Sequence, residues 1–273
     1  MTRAEVEEAG LRGAGQKSED GTGFKVLDKF YMAVDENDHG LTPHIKNDGF
    51  WESWITSWII KELGKEPTWF YDVGANMGYY SLLAASMGCP VMAFEPQEHL
   101  IEIINKSIEM PQNSSLWYIF PVCAAVGESS GVTELVVPKN HSMNASVSYK
   151  PYSPSGEYET TKVTVLALDE FARPHRGNST SRNLVKIDVE GAEDLVWAGM
   201  QKMLSNQDMV TTVLMEFNWN RSKNPAELAT KLFEYGTVSY VDYNGDEQHI
   251  SDPMKLKSRQ GEDWMLVLRP LPF

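Results

Sequence analysis

The chain has 273 residues, 42% of them hydrophobic, and is therefore long and apolar enough for one large α/β domain or for a domain with an extension. Its 24 basic and 38 acidic residues give a formal net charge of −14, and the only basic cluster has three residues, within 255–259. An acidic surface repels phosphate backbones, so this composition argues against a nucleic-acid substrate.

The sequence predicts neither a membrane segment nor a targeting segment. No apolar stretch approaches the roughly 20 residues that a membrane span needs, and the first residues lack the basic and apolar parts of a signal peptide. The two cysteines, Cys89 and Cys123, predict no disulfide framework. We therefore expect a cytoplasmic protein without a membrane partner.

The N-terminal quarter of the chain is expected to precede the main domain. Residues 1–22 are rich in Gly and Glu and poor in large apolar residues, and we expect them to be mobile or to form only a short helix. Residues 23–66 are predicted to form an N-terminal helical extension, which begins with a strand or packing segment over 24–34 and a turn over 35–40.

An aromatic helix is predicted over residues 50–63. Apolar residues recur there at the spacing i, i+3, i+4, i+7 and i+8, namely Trp51, Trp54, Ile55, Trp58 and Ile59. Such a stripe is typical of a helix packed over a sheet edge, although its tryptophans could instead line a substrate pocket. The same face could bury itself against a second subunit, so the sequence leaves the oligomeric state open.

A strand, a glycine turn and a helix follow, in the order of a nucleotide-binding βα unit. Residues 69–73 are aromatic and β-branched, Gly74 and Gly78 permit a tight turn that a cofactor can approach, and residues 79–87 suit a helix. The amino terminus of that helix offers unpaired N–H groups to a ligand.

The next strand, 91–94, ends on Glu95, whose carboxylate is placed to accept hydrogen bonds from ribose hydroxyls and to repel a 2′-phosphate. The turn reads D-x-G-x-N-x-G from Asp72, whereas a dinucleotide turn reads G-x-G-x-x-G. A carboxylate at Asp72 has no evident use beside a pyrophosphate but suits the α-ammonium of a methionine moiety. The turn therefore favours S-adenosylmethionine as the cofactor.

The remaining elements predict a seven-stranded, doubly wound α/β sheet within a domain over 67–273. Helices are predicted over 98–110, 192–204 and 225–235. The first two strands of the sheet, 69–73 and 91–94, are followed by five more over 117–123, 184–187, 209–215, 237–242 and 264–268. Two further strands are predicted over 132–137 and 161–168. The loop around Ala125 lies where an adenine would sit. The long segment 138–160 is predicted to be either a lid over the acceptor or an ordinary surface insertion.

Four acidic residues fall at the carboxyl ends of predicted strands, where such sheets bind ligands: Asp72, Glu95, Asp188 and Glu216. Asp188 is the first candidate for the base that a hydroxyl acceptor needs, and capping of the next helix is its alternative role. Glu216 is the second candidate, or else a structural partner of Lys186. His141, in the loop, is a third candidate or a surface residue.

A metal site has no diagnostic spacing in this sequence. Carboxylates at Asp188, Glu190, Glu193 and Glu216 could hold Mg²⁺, but the pattern does not indicate it, and we assign no metal ligand. Lys186 is predicted to lie buried in mid-strand and so to need a carboxylate partner, for which Glu216 or Glu193 is expected.

Four motifs together resemble the FkbM-type methyltransferases: DVGANMGYYS at 72–81, AFEP at 93–96, AAVGESSG at 124–131 and VKIDVEGAE at 185–193. The resemblance covers roughly residues 69 to 217. It implies a Rossmann-like class I methyltransferase fold and S-adenosylmethionine-dependent O-methylation of a small-molecule or sugar/glycan acceptor. In that site Asp72 would bind the methionine ammonium, Gly74 and Gly78 would admit the cofactor, and Asn76 would lie near its carboxylate.

Two other classes share parts of this pattern. A nicotinamide-dependent oxidoreductase would keep the ribose carboxylate but should show G-x-G-x-x-G and a proton donor at defined spacing, which the sequence lacks. A pseudo-enzyme would bind the cofactor or a partner protein without turnover, and intact Asp72, Glu95 and Asp188 count against it.

Overall fold

The computed structural model describes residues 1–66, 68–114, 116, 118–139, 144–147, 156–171, 181–259 and 261–271. The helices are α1 Arg3–Gly13, α2 Leu41–Asn47, α3 Ser53–Leu63, α4 Tyr79–Ser86, α5 Glu98–Glu109, α6 Glu193–Ala198, α7 Gln201–Ser205 and α8 Pro225–Tyr235. The strands are β1 Gly23–Val26, β2 Phe30–Ala33, β3 Trp69–Val73, β4 Val91–Phe94, β5 Ile119–Val122, β6 Ala125–Val126, β7 Gly131–Pro138, β8 Tyr158–Leu166, β9 Ser181–Ile187, β10 Met209–Phe217, β11 Gly236–Val241, β12 Glu247–Ile250 and β13 Trp264–Pro270.

A mixed sheet of eight strands organises the molecule, in the order β12-β11-β13-β10-β9-β3-β4-β5. Five neighbouring strands of this sheet run parallel, namely β5, β4, β3, β9 and β10. The other three, β13, β11 and β12, are joined to the sheet by antiparallel pairing. The predicted count of seven is therefore wrong by one strand. The additional strand is β12, an edge strand in which only Ile250 is buried, so its sequence carries no apolar alternation.

Both faces of the sheet are covered, because successive side chains of each buried strand point to opposite sides. Phe70 of β3 packs into a core with helices α3 to α5, and its neighbour Tyr71 packs into a second core with α6 to α8. Leu184 and Val185 of β9 divide between the two cores in the same way. An α/β fold with near-continuous apolar strands is what the sequence predicts.

A separate three-stranded sheet, β6-β8-β7, stands beside the main one. Strands β7 and β8 form an antiparallel ladder, and Leu135 and Val163 build a small core with Ala125 of β6. The predicted segment 138–160 begins at the end of β7, and only parts of it, 138–139, 144–147 and 156–160, belong to the described residues.

The sequence predicts that residues 1–22 are mobile or form only a short helix, and the structure contains helix α1 there. A capping box starts the helix: Glu5 N–H donates to Thr2 Oγ1, and Thr2 N–H donates to the Glu5 carboxylate at 2.6 Å. Val6 and Gly10 are buried, and a methyl group added at Gly10 would meet Phe50 at 2.3 Å. Close packing against the segment before α3 therefore fixes this helix.

The helix predicted over 192–204 is divided into α6 and α7. The break falls at Gly199 and Met200, where the backbone approaches the loop after β6: a Cβ on Gly199 would lie 1.9 Å from the Gly127 carbonyl oxygen. Asp169 then accepts the N–H groups of Lys202 and Met203 at 3.0 and 2.9 Å and caps α7 from another element.

The helices of the described residues are all too short or too polar to span a membrane.

Candidate active site

A cavity of about 170 Å³ opens at the carboxyl ends of the parallel strands, next to the β3–α4 turn. One half is lined by the turn, by the end of β4 and by β6, with Asn76, Phe94, Glu95, Gln97 and Ala125. The other half is lined by the ends of β9 and β10 and by the N-terminal extension, with Trp51, Glu52, Lys186, Asp188, Glu190 and Glu216. We call these the turn half and the acidic half.

The β3–α4 turn is held close to the end of β9. Gly74 has φ +81°, and a Cβ there would lie 1.8 Å from the Asp188 carbonyl oxygen, so glycine is required by the approach of two backbones. A Cβ on Gly78 would meet the side chain of Ile104 at 2.8 Å. Asn76 also has a positive φ, of 51°, and its Oδ1 accepts the Met77 N–H at 2.7 Å. Packing within the protein therefore accounts for glycine at both positions.

Glu95 fastens this turn to the end of β4. Its two carboxylate oxygens accept the backbone N–H groups of Asn76 and Gln97, each at 3.0 Å, and the side chain is only 4% exposed. Burial raises the pKa of Glu95 to about 7, although these hydrogen bonds act in the opposite direction. Gln97 Nε2 also donates to Oε1 at 3.3 Å, so Oε2 is the oxygen that keeps a further lone pair with which to accept from a ligand hydroxyl.

Lys186 is buried and holds two carboxylates, as its position in mid-strand requires. Its Nζ lies 3.1 Å from Asp188 Oδ2 and 3.9 Å from Asp72 Oδ1. Burial would lower the pKa of Lys186, but the two carboxylates outweigh it and raise the pKa. The expected partners, Glu216 and Glu193, are therefore wrong, because parallel pairing of β3 with β9 sets Asp72 directly opposite Lys186.

Asp72 lies beneath the turn, 1% exposed, and does not line the cavity. The Ser81 hydroxyl donates to its Oδ2 at 2.7 Å, and no hydrogen-bond donor among the described residues reaches its Oδ1. Burial raises the pKa of Asp72, and Lys186 opposes that shift. The carboxylate thus has an unsatisfied oxygen near the turn, but a lysine already supplies a cation beside it.

Arg221 joins three carboxylates on the floor of the acidic half. Its guanidinium contacts Glu190 and Asp263, and its Nη2 donates to Glu216 Oε2 at 2.7 Å. Burial raises the pKa of Glu190 to about 8 and that of Glu216 well above its ordinary value, against the attraction of Arg221. No sequence pattern indicated a role for Arg221, because it lies in a loop beyond β10 and outside every recognised motif.

Carboxylate oxygens of Asp188, Glu190 and Glu216 all lie within 4.8 Å of one another, a spacing that a divalent cation could bridge. Arg221 already contacts two of these carboxylates, and Lys186 contacts the third. Two protein cations therefore already neutralise part of the negative charge of this cluster.

The N-terminal extension closes the acidic half. Trp51 and Glu52, at the start of α3, line the cavity, so the aromatic segment reaches the pocket as well as packing on the sheet. Trp58, about two turns further along, is 3% exposed and belongs to the core. Sequence periodicity identified the helix but gave no reason to select Glu52.

The described part of the predicted lid also touches the site. Ala145 and Val147 line the cavity, and the Ser146 hydroxyl donates to the Glu190 carbonyl oxygen at 2.8 Å. His141 lies outside the described residues.

The turn half suits an adenosine group. Phe94 and Ala125 offer apolar surface, and the Glu95 carboxylate offers hydrogen-bond acceptors at the end of the strand after the turn. A parallel sheet with this arrangement at its carboxyl edge defines an α/β protein that binds a nucleotide-type cofactor.

The family comparison identifies that protein class more closely. The family model described as "Methyltransferase FkbM domain" matches residues 72–239, more than half of the chain. The chain belongs to this family and is an S-adenosylmethionine-dependent methyltransferase. A search of curated proteins finds no match.

Solved structures give a looser likeness. The methyltransferase FkbM from Methylobacillus flagellatus has a TM-score of 0.43 at 14% identity, and the match covers 74% of this chain and 43% of that chain. The C-terminal domain of precorrin-6Y C5,15-methyltransferase from Rhodobacter capsulatus has 0.41 at 13%, covering 80% and 89%. The N-terminal domain of human METTL16 in complex with SAH has 0.39 at 10%, covering 81% and 70%. This chain thus spans less than half of the Methylobacillus protein, and such scores carry no argument about the acceptor.

Proposed function

We propose that this methyltransferase transfers the methyl group of S-adenosylmethionine to a hydroxyl of a small-molecule or sugar/glycan acceptor. The observation that carries the proposal is the acidic half of the cavity, where carboxylates and Trp51 lie beside the cofactor-binding turn. Carboxylates accept hydrogen bonds from hydroxyl groups, and an indole ring offers a flat apolar surface for a sugar ring.

Within the proposed complex the turn half binds the cofactor. Glu95 accepts from the ribose hydroxyls, Ala125 lies against the adenine, and Asn76 lies near the methionine carboxylate. Gly74 and Gly78 permit the tight turn beside the cofactor, and Asp72, beneath the turn and outside the cavity lining, would supply negative charge for the methionine ammonium from behind it. S-adenosylmethionine supplies an activated methyl group when bound, and the chain has to align an acceptor oxygen with it.

An alcohol has a high pKa, so its proton must leave as the new bond forms. Asp188 is proposed to bind the acceptor hydroxyl, because its side chain, 29% exposed, enters the cavity from the end of β9. Glu216 is proposed to act with it as a second acidic contact. His141, in the segment 138–160, is proposed as an alternative general base that this segment would bring to the acceptor.

The proposed domain division follows from these roles. Residues 67–273 form the methyltransferase domain, and the extension over 23–66 adds an acceptor wall to it. We propose a cytoplasmic enzyme whose acceptor is not a nucleic acid, in keeping with the net charge of −14.

Two measurements test this function. Calorimetric titration with S-adenosylhomocysteine, with NAD as the control ligand, should give micromolar binding of the former alone. Release of S-adenosylhomocysteine from S-adenosylmethionine should then increase with methyl glycosides or simple alcohols, and not with alkyl amines or an oligonucleotide. Cofactor binding without release by any acceptor would favour the pseudo-enzyme, and release only with amines or the oligonucleotide would overturn O-methylation.

A further inference from the structure

Glu52 lines the acidic half from the N-terminal extension, outside the residues 72–239 that the family model matches. We propose that Glu52 is the general base that takes the proton of the acceptor hydroxyl. This inference rests on the proposed function and names the residue that completes its chemistry.

The backbone at Glu52 indicates that the side chain is directed for a purpose other than helix capping. Glu52 precedes α3 with φ 37° and ψ 72°, a left-handed conformation that is strained for a non-glycine residue. Glu52 is the N-cap residue of α3, but its side chain makes no capping hydrogen bond and is therefore not held at the helix end. The strained backbone thus supports a side chain that enters the cavity.

One neighbour orients the Glu52 carboxylate. The Tyr80 hydroxyl, on the helix that follows the cofactor-binding turn, donates to Oε2 at 2.7 Å. No donor among the described residues reaches Oε1, so that oxygen keeps its lone pairs for a ligand. A general base needs such a free acceptor within hydrogen-bond reach of the hydroxyl.

The other carboxylates of the acidic half are each bound by a cation. Lys186 holds Asp188, and Arg221 holds both Glu190 and Glu216. Each of these ion pairs occupies a carboxylate oxygen that would otherwise be open to the acceptor hydroxyl. Glu52 makes no ion pair among the described residues, and its hydrogen-bond partner is a neutral phenol.

Burial, more than any neighbouring charge, raises the pKa of Glu52 above that of an ordinary glutamate. The negative charges of Asp188 and Asp263 add to that effect. The Tyr80 hydrogen bond and the positive charge of Lys186 act in the opposite direction. The net shift is upward, toward the range in which a general base works best at neutral pH.

In the proposed step the acceptor oxygen forms a bond to the methyl carbon while the bond from that carbon to sulfur breaks, and the bonding pair stays on sulfur. The hydroxyl proton moves to the Glu52 carboxylate and is later lost to solvent. Asp188 accepts a hydrogen bond from the same or a neighbouring hydroxyl but gains no proton.

The experiment compares wild type with Glu52→Gln, Tyr80→Phe and the control Glu102→Gln, which changes an exposed glutamate on α5. Methyl glycosides are the acceptor probes, and released S-adenosylhomocysteine is measured against pH. Glu52→Gln should lower kcat by roughly 10²- to 10⁴-fold, the contribution of a general base, and flatten the pH profile. Its S-adenosylhomocysteine affinity should equal that of wild type and of Glu102→Gln.

Tyr80→Phe supplies a readout that a merely structural role would not change. The Tyr80 hydrogen bond favours the ionised carboxylate, so its loss should shift the midpoint of the pH profile to higher pH. Carbon NMR of labelled glutamate carboxyls, without any acceptor, should show the same shift for the signal that is missing in Glu52→Gln.

The outcomes separate the two proposals. Failure of wild type to use any hydroxyl probe overturns the proposed function. Turnover by wild type with an unchanged rate and pH profile in Glu52→Gln overturns only the role of Glu52. If Glu52→Gln does not fold, Tyr80→Phe decides, and an unmoved midpoint in both the profile and the NMR titration overturns the inference.

Discussion

Replacement of Glu95 by glutamine should weaken cofactor binding strongly while it leaves the shape of the site intact. The side chain is buried and already accepts two backbone N–H groups, of Asn76 and Gln97. An amide has one acceptor oxygen, so one of these N–H groups would face an NH₂ group. The unsatisfied donor should lower the free energy of unfolding by about 1–3 kcal/mol.

The effect on affinity follows from the charge that the substitution removes. Hydrogen bonds to a charged group contribute about 1.5–3 kcal/mol. By the relation of free energy to affinity this corresponds to roughly a tenfold to 150-fold increase in Kd for S-adenosylhomocysteine. The matched control is Glu98→Gln, an exposed glutamate in the first turn of α5, which should bind as wild type does.

The pH dependence of binding gives a second test of the same residue. The ribose hydroxyls bind best to the ionised carboxylate, so binding should release a proton and lower the pKa of Glu95 from about 7. The affinity of wild type should therefore rise with pH up to about 7 and level off above it, whereas that of Glu95→Gln should not. Calorimetry would refute this reasoning if Glu95→Gln bound within twofold of wild type and kept the same pH dependence.

Two further predictions concern the framework of the site. Gly74→Ala would bring a methyl group to 1.8 Å from the Asp188 carbonyl oxygen at a positive φ, and should lower the free energy of unfolding, measured by urea titration, by about 2–5 kcal/mol. The control is Gly131→Ala, which has no atom within 4 Å of its added Cβ and should change this free energy little. Equal effects of the two substitutions would contradict the packing argument. Lys186→Met would leave Asp72 and Asp188 without their cation and should cost about 3–5 kcal/mol near pH 7. That loss should shrink at lower pH as the Asp72 carboxyl, already raised in pKa, takes up a proton. Lys231→Met, an exposed residue of α8, is the control, and a cost independent of pH would refute the role assigned to Lys186.

Apolar periodicity and capping residues predicted many of the helices and strands, because the formation of these elements depends on residues that are neighbours in sequence. The apolar run at 69–73 and its glycine turn gave β3 and the start of α4, and the caps and periodicity at 98–110 and 225–235 gave α5 and α8 to within a residue. The motif order also indicated the family, which the family comparison confirms. Edge strand β12 was missed because one buried residue gives no period.

The partners of the charged residues were decided by tertiary structure. Lys186 meets Asp72 because β3 pairs with β9 in one register, although more than a hundred residues separate them in sequence. Arg221 reaches Glu190 and Glu216 from a loop that no local pattern places. Glu52 enters the cavity because α3 packs across the sheet and because its backbone is left-handed. Period and spacing fix which face of an element is buried, but the register of strands and the approach of loops depend on packing of the whole chain.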